Sequence, residues 1–329
     1  MPKLQLSLAI CPYDHVSALR DGRVQVEGVE LNVQHFTYPS EIFHRTLEYG
    51  EWDISELSFA KYTSLVDHGD DRFVAIPVFP SRCFRHSCVV VRADSPLSNL
   101  ADLDGRSIGV PEWAQTAGIF VRGLLSHEHG LNLAAIDWCQ GGVNTPGRRE
   151  HAAIAWPPGV HIRSIYDRPL AHLLAEGEID AIIAAAGPDS RLSPLRFRPL
   201  LADAAAAERD YFRRTRIFPI MHVVVIRRGL FERHPWLPAN LRQAFDAAKR
   251  LSIQRMTARN LSLYPVPQLA DFLTTWAGEI GADPWPYGIG PNQPTIEAFL
   301  RYAYEQGITR RPLDLEHLFV AASCDEFRN

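Results

Sequence analysis

The sequence predicts an α/β protein built as two lobes. Three observations carry this reading. Helix and strand signals alternate along most of the chain, the pattern of α/β layers around a largely parallel sheet. One phrase occurs twice: LEYGEWDISEL at residues 47–57 and LAEGEIDAIIA at residues 174–184. Finally, 329 residues, 46% of them hydrophobic, exceed the needs of one small core and suit two lobes of roughly 100–200 residues each.

The elements follow in order. Leu4, Leu6, Leu8 and Ile10 alternate with polar positions at the period of a strand. Residues 29–36 read as a strand, 40–49 as a helix stopped at Gly50, and 52–58 as a strand again. Strands at 73–79 and 87–91 come next. In the repeated phrase the glycine is a left-handed helix cap, and the Asp two positions beyond the Glu opens a strand into the interior. Residues 106–110 form a short strand. A helix capped near Thr116 carries Phe120, Val121, Leu124 and Leu125 on its apolar face and ends at Gly130. The strand MHVVVIRR (221–228) returns the chain to the first lobe. From Pro235 onward the pattern is mainly helical, interrupted by a Pro/Gly-rich stretch at 283–294. The predicted division is 1–102 with 225–329 in the first lobe, and 103–224 in the second.

Composition excludes several classes. A net charge of -4 and a pI near 6.4 argue against a nucleic-acid surface, and the basic clusters at 213–216 and 309–311 are short solvated faces. No apolar leader region marks a secretory signal, and no stretch approaches the ~18 apolar residues of a membrane helix. Five cysteines (Cys11, Cys83, Cys88, Cys139, Cys324) without a CxxC pair suit a reduced, cytoplasmic protein. His127 and His129 have the wrong spacing for two ligands on one helical face, and there is no HExxH. GGVNTPG (141–147) lacks the Walker lysine and the dinucleotide glycine spacing, and no GxSxG is present. Trp276, Trp285, Phe299, Tyr302 and Tyr304 offer surface for a homo-oligomer or, equally, a cap on the first lobe.

Candidate site residues are placed by topology. Ligands of open α/β sheets sit beyond the carboxyl ends of strands, where Tyr13, Asp14 and His15 follow the first strand and Ser58 ends the third. In SRCFRHSCVVV, Arg82, Arg85, His86 and Ser87 precede an apolar run, and a guanidinium matches a carboxylate in bidentate fashion. Strand alternation would send Arg85 and Ser87 to one face and Arg82, His86 and Cys88 to the other. The helix near Thr116 offers amides from about Gln115 through Thr116 and Ala117 to Gly118, with the positive end of its dipole. Glu112 and Trp113 can add a polar contact and an aromatic wall. His222 lies in an apolar strand, as a core residue or at the crossing between lobes. Asp189 and Ser190 follow the repeated strand of the second lobe.

CPYD (11–14), FRHS (84–87), FPIMHVVVIR (218–227) and DPWPYGIGPN (283–292), which ends at Asn292, together resemble the 4,5-dihydroxyphthalate decarboxylase family, within the type 2 periplasmic-binding-protein-like superfamily. The resemblance runs along nearly the whole chain; GEIDAII and LDGRSIGV are shared more widely and weigh less. It implies two α/β lobes joined by crossing strands, a ligand in the interlobe cleft, and decarboxylation of an aromatic dicarboxylate. On that basis Arg82, Arg85 and the amides near Thr116 orient the dianion, His86 or His222 donates a proton to the ring, and Asp14 accepts from the phenols. Tyr13, Ser58, Ser87, Glu112, Trp113, Gln115, Ala117, Asp189 and Asn292 complete the expected substrate contacts. No redox cofactor is required; a divalent metal can bind the catechol oxygens, but no ligand cluster demands one. The competing readings are a non-catalytic cytoplasmic binding protein or sensor for an aromatic acid, and a related enzyme for a heteroaromatic compound.

Overall fold

The computed structural model describes residues 2–150, 152–189, 196–261, 263–281 and 283–320. Its eleven strands among these residues are β1 (Leu4–Ile10), β2 (Val29–His35), β3 (Ile54–Ser58), β4 (Phe73–Ile76), β5 (Val89–Arg92), β6 (Ser107–Val110), β7 (Asp137–Gly141), β8 (Ile162–Ile165), β9 (Ala181–Ile183), β10 (Phe197–Pro199) and β11 (His222–Arg227). The chain forms two compact units. The first comprises Met1–Arg82, His222–Gln293 and Leu315–Asn329; the second comprises Cys83–Met221 and Pro294–Asp314.

The first unit holds a five-stranded sheet in the order β2-β1-β3-β11-β4. β1 runs parallel to β2 and β3, whereas β11 runs antiparallel to β3 and β4. All five residues of β3 are buried, as are Val223 to Ile226 of β11. Layers therefore cover both faces of the sheet centre, and β11 accordingly reads as an apolar run. The antiparallel entry of β11 has a functional consequence. Its first residue, His222, pairs with Ser58, the last residue of β3, so the start of β11 shares an edge with the carboxyl ends of β1 and β3.

The second unit holds a six-stranded sheet in the order β10-β5-β9-β6-β7-β8. The two sheets share a plan: β6, β7 and β9 repeat the parallel relation of β1, β2 and β3, and β5 lies antiparallel to β9 as β11 does to β3. The repeated phrase is the seed of that plan. Gly50 (φ 53°) and Gly177 (φ 76°) both stop their helices in the left-handed region, where L side chains are strained. Asp53 then accepts the Ser7 amide at 2.9 Å, and Asp180 accepts the Ser107 amide at 3.0 Å. Each Asp thus ties the start of its strand to the neighbouring parallel strand.

Several boundaries differ from the sequence reading. The first crossing lies at 82/83, not 102/103, because β5 pairs with β9 and β10 of the second sheet. The return lies at 221/222, where β11 begins. Residues 294–314, expected in the first lobe, belong to the second unit. There Gln306 accepts from Arg122 (2.7 Å) and, through its carbonyl, from Trp113 (2.8 Å). Gly123 is bare because any Cβ there would lie 2.3 Å from the Tyr302 ring. Residues 86–88 are a single 3₁₀ turn, not strand, so the expected alternation of Arg85, His86 and Ser87 between two faces does not arise. The strand expected at 73–79 stops at Ile76. Cys11, Cys83, Cys88 and Cys139 are free thiols, whereas Cys324 and Ser190 lie outside the described residues. Among the described residues no helix is long and apolar enough to cross a membrane.

The shared Asp device has a measurable cost of removal. Asp53→Ala should lower unfolding stability by about 1–3 kcal/mol, because it strands a part-buried amide and frees the Ser7 hydroxyl, which also bonds to this carboxylate at 2.9 Å. Asp180→Ala should fall at the lower end of that range. Urea denaturation of the two variants measures both values.

Candidate active site

The carboxyl edge of the first sheet is organised by a side chain the sequence reading did not single out. Glu56 sits in the middle of β3 with its side chain 0% exposed. An isolated carboxylate in such a place is very costly. Three donors offset that cost here. The Cys11 amide, just past the end of β1, donates to Oε2 at 2.8 Å. The Tyr13 hydroxyl donates to Oε1 at 2.5 Å. His222 places Nδ1 2.5 Å from the same Oε1. Tyr13 Oη and His222 Nδ1 are 3.3 Å apart, so two donors converge on one oxygen.

Strand register explains the convergence. Glu56 pairs with Val224, and Ser58 pairs with His222, so these four side chains share one face of the antiparallel pair. Glu56 and His222 are diagonal neighbours on that face. The Phe43 ring meets the imidazole edge-on at 4.9 Å and fixes its plane. The His222 side chain is 15% exposed. Nδ1 is committed to Glu56, and Nε2 is the ring nitrogen that Glu56 does not engage.

The charges settle accordingly. Burial pushes the Glu56 carboxyl up, but the adjacent His222 ring and the hydrogen bonds from His222, Cys11 and Tyr13 outweigh it and hold the group below the usual range. Burial, then the Glu56 charge, pushes the Tyr13 phenol well above its ordinary value. The same two causes push the Cys11 thiol up to about 12. At neutral pH the cluster therefore holds one carboxylate, a neutral phenol and a neutral thiol. His15 stacks on Tyr13 at 5.3 Å; burial depresses its titration to about 4, so that ring is neutral.

Of the sequence candidates, Tyr13, Ser58 and His222 come together at this edge. Asp14 does not join them. It is exposed and accepts from the hydroxyls of Ser252 and Tyr264 (2.7 Å for the latter), tying the first turn to helix Leu237–Thr257. Arg82 is buried and donates to the Pro286 carbonyl at 3.0 Å; burial lowers its pKa to about 9, against the pull of Asp283 and Tyr287. Asn292 donates to the same carbonyl (2.9 Å) and to that of Gly288 (2.7 Å). Arg82 and Asn292 are therefore fasteners of the 283–292 loop.

The remaining candidates lie in the second unit. Arg85 is half-buried; among the described residues its hydrogen-bond acceptors are sulfurs, Met221 at 3.2 Å and Cys88 at 3.6 Å, and its charge acts on the Glu208 carboxylate. His86 is buried against Tyr211, its Nδ1 3.9 Å from Glu208, and burial, helped by His129 and Arg214, depresses its titration to about 4. The amides of His86 and Ser87 bond the Glu208 carboxylate. Glu112 pairs with Arg148 at 2.6 Å. Trp113 is fully buried beneath the Arg122 guanidinium, 3.8 Å from its ring, and is core, not an accessible wall. Gln115 precedes helix Thr116–His129; its amide donates to the Glu112 carbonyl and its side chain accepts from the Ala185 amide, so it is not a free donor. Thr116 and Ala117 are buried in the first turn. The Asp189 amide is held by Asn144 at 2.8 Å. Among the described residues, no three His, Cys, Asp or Glu side chains converge as a metal set.

A signal for Glu56 was present in the sequence. Aligned on Gly50 and Gly177, the repeated phrase carries Glu56 where its second copy carries Ile183, a buried apolar residue. A charge standing where its repeat keeps isoleucine marks a position under a different demand.

Comparison with known proteins agrees with this architecture. A family model described as the phosphonate periplasmic substrate-binding protein of ABC transporters matches residues 19–145. A 4,5-dihydroxyphthalate decarboxylase of Comamonas testosteroni is 38% identical over 331 residues, covering 100% of both chains. A protein of the same name from Pseudomonas putida is 38% identical over 189 residues, 57% of this chain and 73% of its own. Among solved structures, the periplasmic aliphatic sulphonate binding protein of Escherichia coli aligns with a TM-score of 0.50 at 14% identity, over 100% of this chain and 95% of its own. A ligand-binding component of an ABC-type import system from Staphylococcus aureus aligns at 0.52 and 13% identity, over 98% of each chain. At such identities these structures establish the fold, that of type 2 periplasmic binding proteins.

The Glu56 network fixes a sign for stability against pH. The folded carboxyl titrates below its ordinary value of 4.5, so its stabilisation is complete above that pH and is lost as pH falls through the folded value. Tyr13→Phe should cost about 1.5–3 kcal/mol at pH 7, the worth of a hydrogen bond to a charged group. It should cost less once Glu56 is protonated. Urea denaturation at pH 7 and at successively lower pH checks both statements.

Proposed function

The chain belongs to the 4,5-dihydroxyphthalate decarboxylase family, and from that premise we propose that it removes one carboxylate of 4,5-dihydroxyphthalate as carbon dioxide, leaving protocatechuate. The observation that carries the mechanism is the Glu56–His222 pair, with Nδ1 2.5 Å from Oε1 and Nε2 the ring nitrogen that Glu56 does not engage.

Direct loss of carbon dioxide from an arene would leave an anion in the ring plane, where the π system cannot delocalise it. Each hydroxyl of this substrate is para to a carboxylate, which opens another route. The phenolic oxygen pushes an electron pair into the ring, and the carbon bearing the carboxylate takes a proton. The C–C bond to the carboxylate then breaks, carbon dioxide leaves, and its electron pair restores aromaticity. One proton is consumed per turnover and is regained from solvent.

We assign the donor to Nε2 of a protonated His222. The buried carboxylate of Glu56 orients the ring through Nδ1 and leaves Nε2 for the transferred proton. His86 is the weaker candidate, because a ring that titrates near 4 is neutral at working pH. Tyr13 and Ser58 flank the donor. Asp14, held by two hydroxyls, is reassigned to anchoring the turn. No redox cofactor enters the scheme. A cytoplasmic setting and a small aromatic dicarboxylate as the sole required partner are parts of the same proposal.

His222→Gln should lower kcat by ~10²–10⁴, the usual worth of general acid catalysis, with folding intact. Carbon dioxide release and product identification with 4,5-dihydroxyphthalate read the effect. A His222→Gln variant with undiminished turnover would refute the acid assignment. Ligand-raised melting of the wild-type chain with no carbon dioxide released would refute the enzyme reading.

A further inference from the structure

We infer that Glu56 is a positioning residue that dictates which nitrogen of His222 carries the exchangeable proton, holding Nδ1–H inward so that Nε2 is the atom that gives and takes it. The inference deepens the acid assignment above and rests on it for the catalytic part alone.

The argument is one of donors and acceptors. An ionised carboxylate only accepts. Oε2 is met by the Cys11 amide, which can only donate. Oε1 is met by the Tyr13 hydroxyl and by His222 Nδ1, each at 2.5 Å. Were Nδ1 unprotonated, its lone pair would face an oxygen of a fully buried carboxylate at that distance, a repulsive contact. Protonated, the same atom makes a short charge-assisted bond. Neutral His222 is therefore restricted to the Nδ1–H tautomer, and protonation adds its second proton at Nε2. Phe43, edge-on to the ring at 4.9 Å, opposes a flip that would exchange the two nitrogens.

The groups that face this ring are few. β3 contributes Glu56, the segment after β1 contributes Tyr13, and helix Pro39–Tyr49 contributes Phe43. Tyr13 shares Oε1 with Nδ1 and takes part of that oxygen's charge, but it cannot replace Glu56 as the acceptor in this geometry, because its own proton is spent on the same oxygen. The carboxylate is fully buried, and among the described residues its hydrogen-bond partners are the Cys11 amide, the Tyr13 hydroxyl and the His222 ring.

The test has a readout that requires no substrate. Nitrogen-15 shifts of the His222 ring, in the full chain labelled at histidine and assigned by comparison with His222→Gln, report the tautomer of the neutral form directly. Wild type should show a protonated Nδ1 and an unprotonated Nε2. Glu56→Gln presents an amide N–H to the ring and should move the proton to Nε2. The same variant should lower kcat by ~10²–10⁴ while KM changes by less than about threefold, because the group lost is one that aims the donor. Tyr13→Phe keeps the carboxylate and should keep the wild-type tautomer. A wild-type His222 protonated at Nε2 alone would overturn the inference, and that measurement holds even if Glu56→Gln fails to fold. So would loss of the Nδ1–H tautomer in Tyr13→Phe, or an unchanged tautomer in folded Glu56→Gln. If the tautomers behave as stated but the wild type releases no carbon dioxide, the positioning stands and the decarboxylase reading is what fails.

Discussion

A carboxylate buried in the centre of a β-strand constrains everything around it. Glu56 cannot be left uncompensated, and the fold meets the demand by converging three chain segments on it: the turn after β1, β3 itself, and the first residue of β11. A buried ion pair of this kind is rarely a net source of stability against an apolar alternative, though breaking one is costly. Its retention makes sense as a means of fixing a side chain in one orientation, and the side chain it fixes is a histidine at the open edge of the sheet. Structural requirement and chemical role meet in the same two atoms.

The internal repeat puts this in context. Both units use the same strand plan, the same left-handed glycine and the same Asp-to-amide tie. One of the positions at which they differ is Glu56. In the second unit, Ile183 is buried where Glu56 stands in the first, and the neighbouring Ile182 and Ala184 pack into an apolar cluster with Leu170, Leu173 and Leu174. One copy of the phrase has kept an ordinary core. The other carries a charge that the donors of Cys11, Tyr13 and His222 make tolerable.

Much of the fold was legible because its signals are local. Glycine caps, the Asp that opens each strand, and the helix from Thr116 to Gly130 depend on residues within one or two turns of each other. Glu56 was not legible as a site residue, because its partners lie 45, 43 and 166 positions away and a buried strand gives no alternation to violate. The cations were misjudged for a related reason. Arg82 and Arg85 look equivalent in sequence, yet one is drawn inward to the Pro286 carbonyl and the other meets the sulfurs of Met221 and Cys88. The first crossing was placed twenty positions late because β5 belongs to the second sheet through pairings with β9 and β10, neither of which is near it in sequence.

The most direct test of the central claim is a crystal structure of the chain with phthalate, which has both carboxylates but no hydroxyl to push electrons into the ring and so should remain intact. The account requires His222 Nε2 to lie within about 3.5 Å of a ring carbon bearing a carboxylate, with Nδ1 still on Glu56. A bound phthalate whose ring lies beyond reach of His222, or an imidazole turned so that Nδ1 faces the ligand, would contradict it.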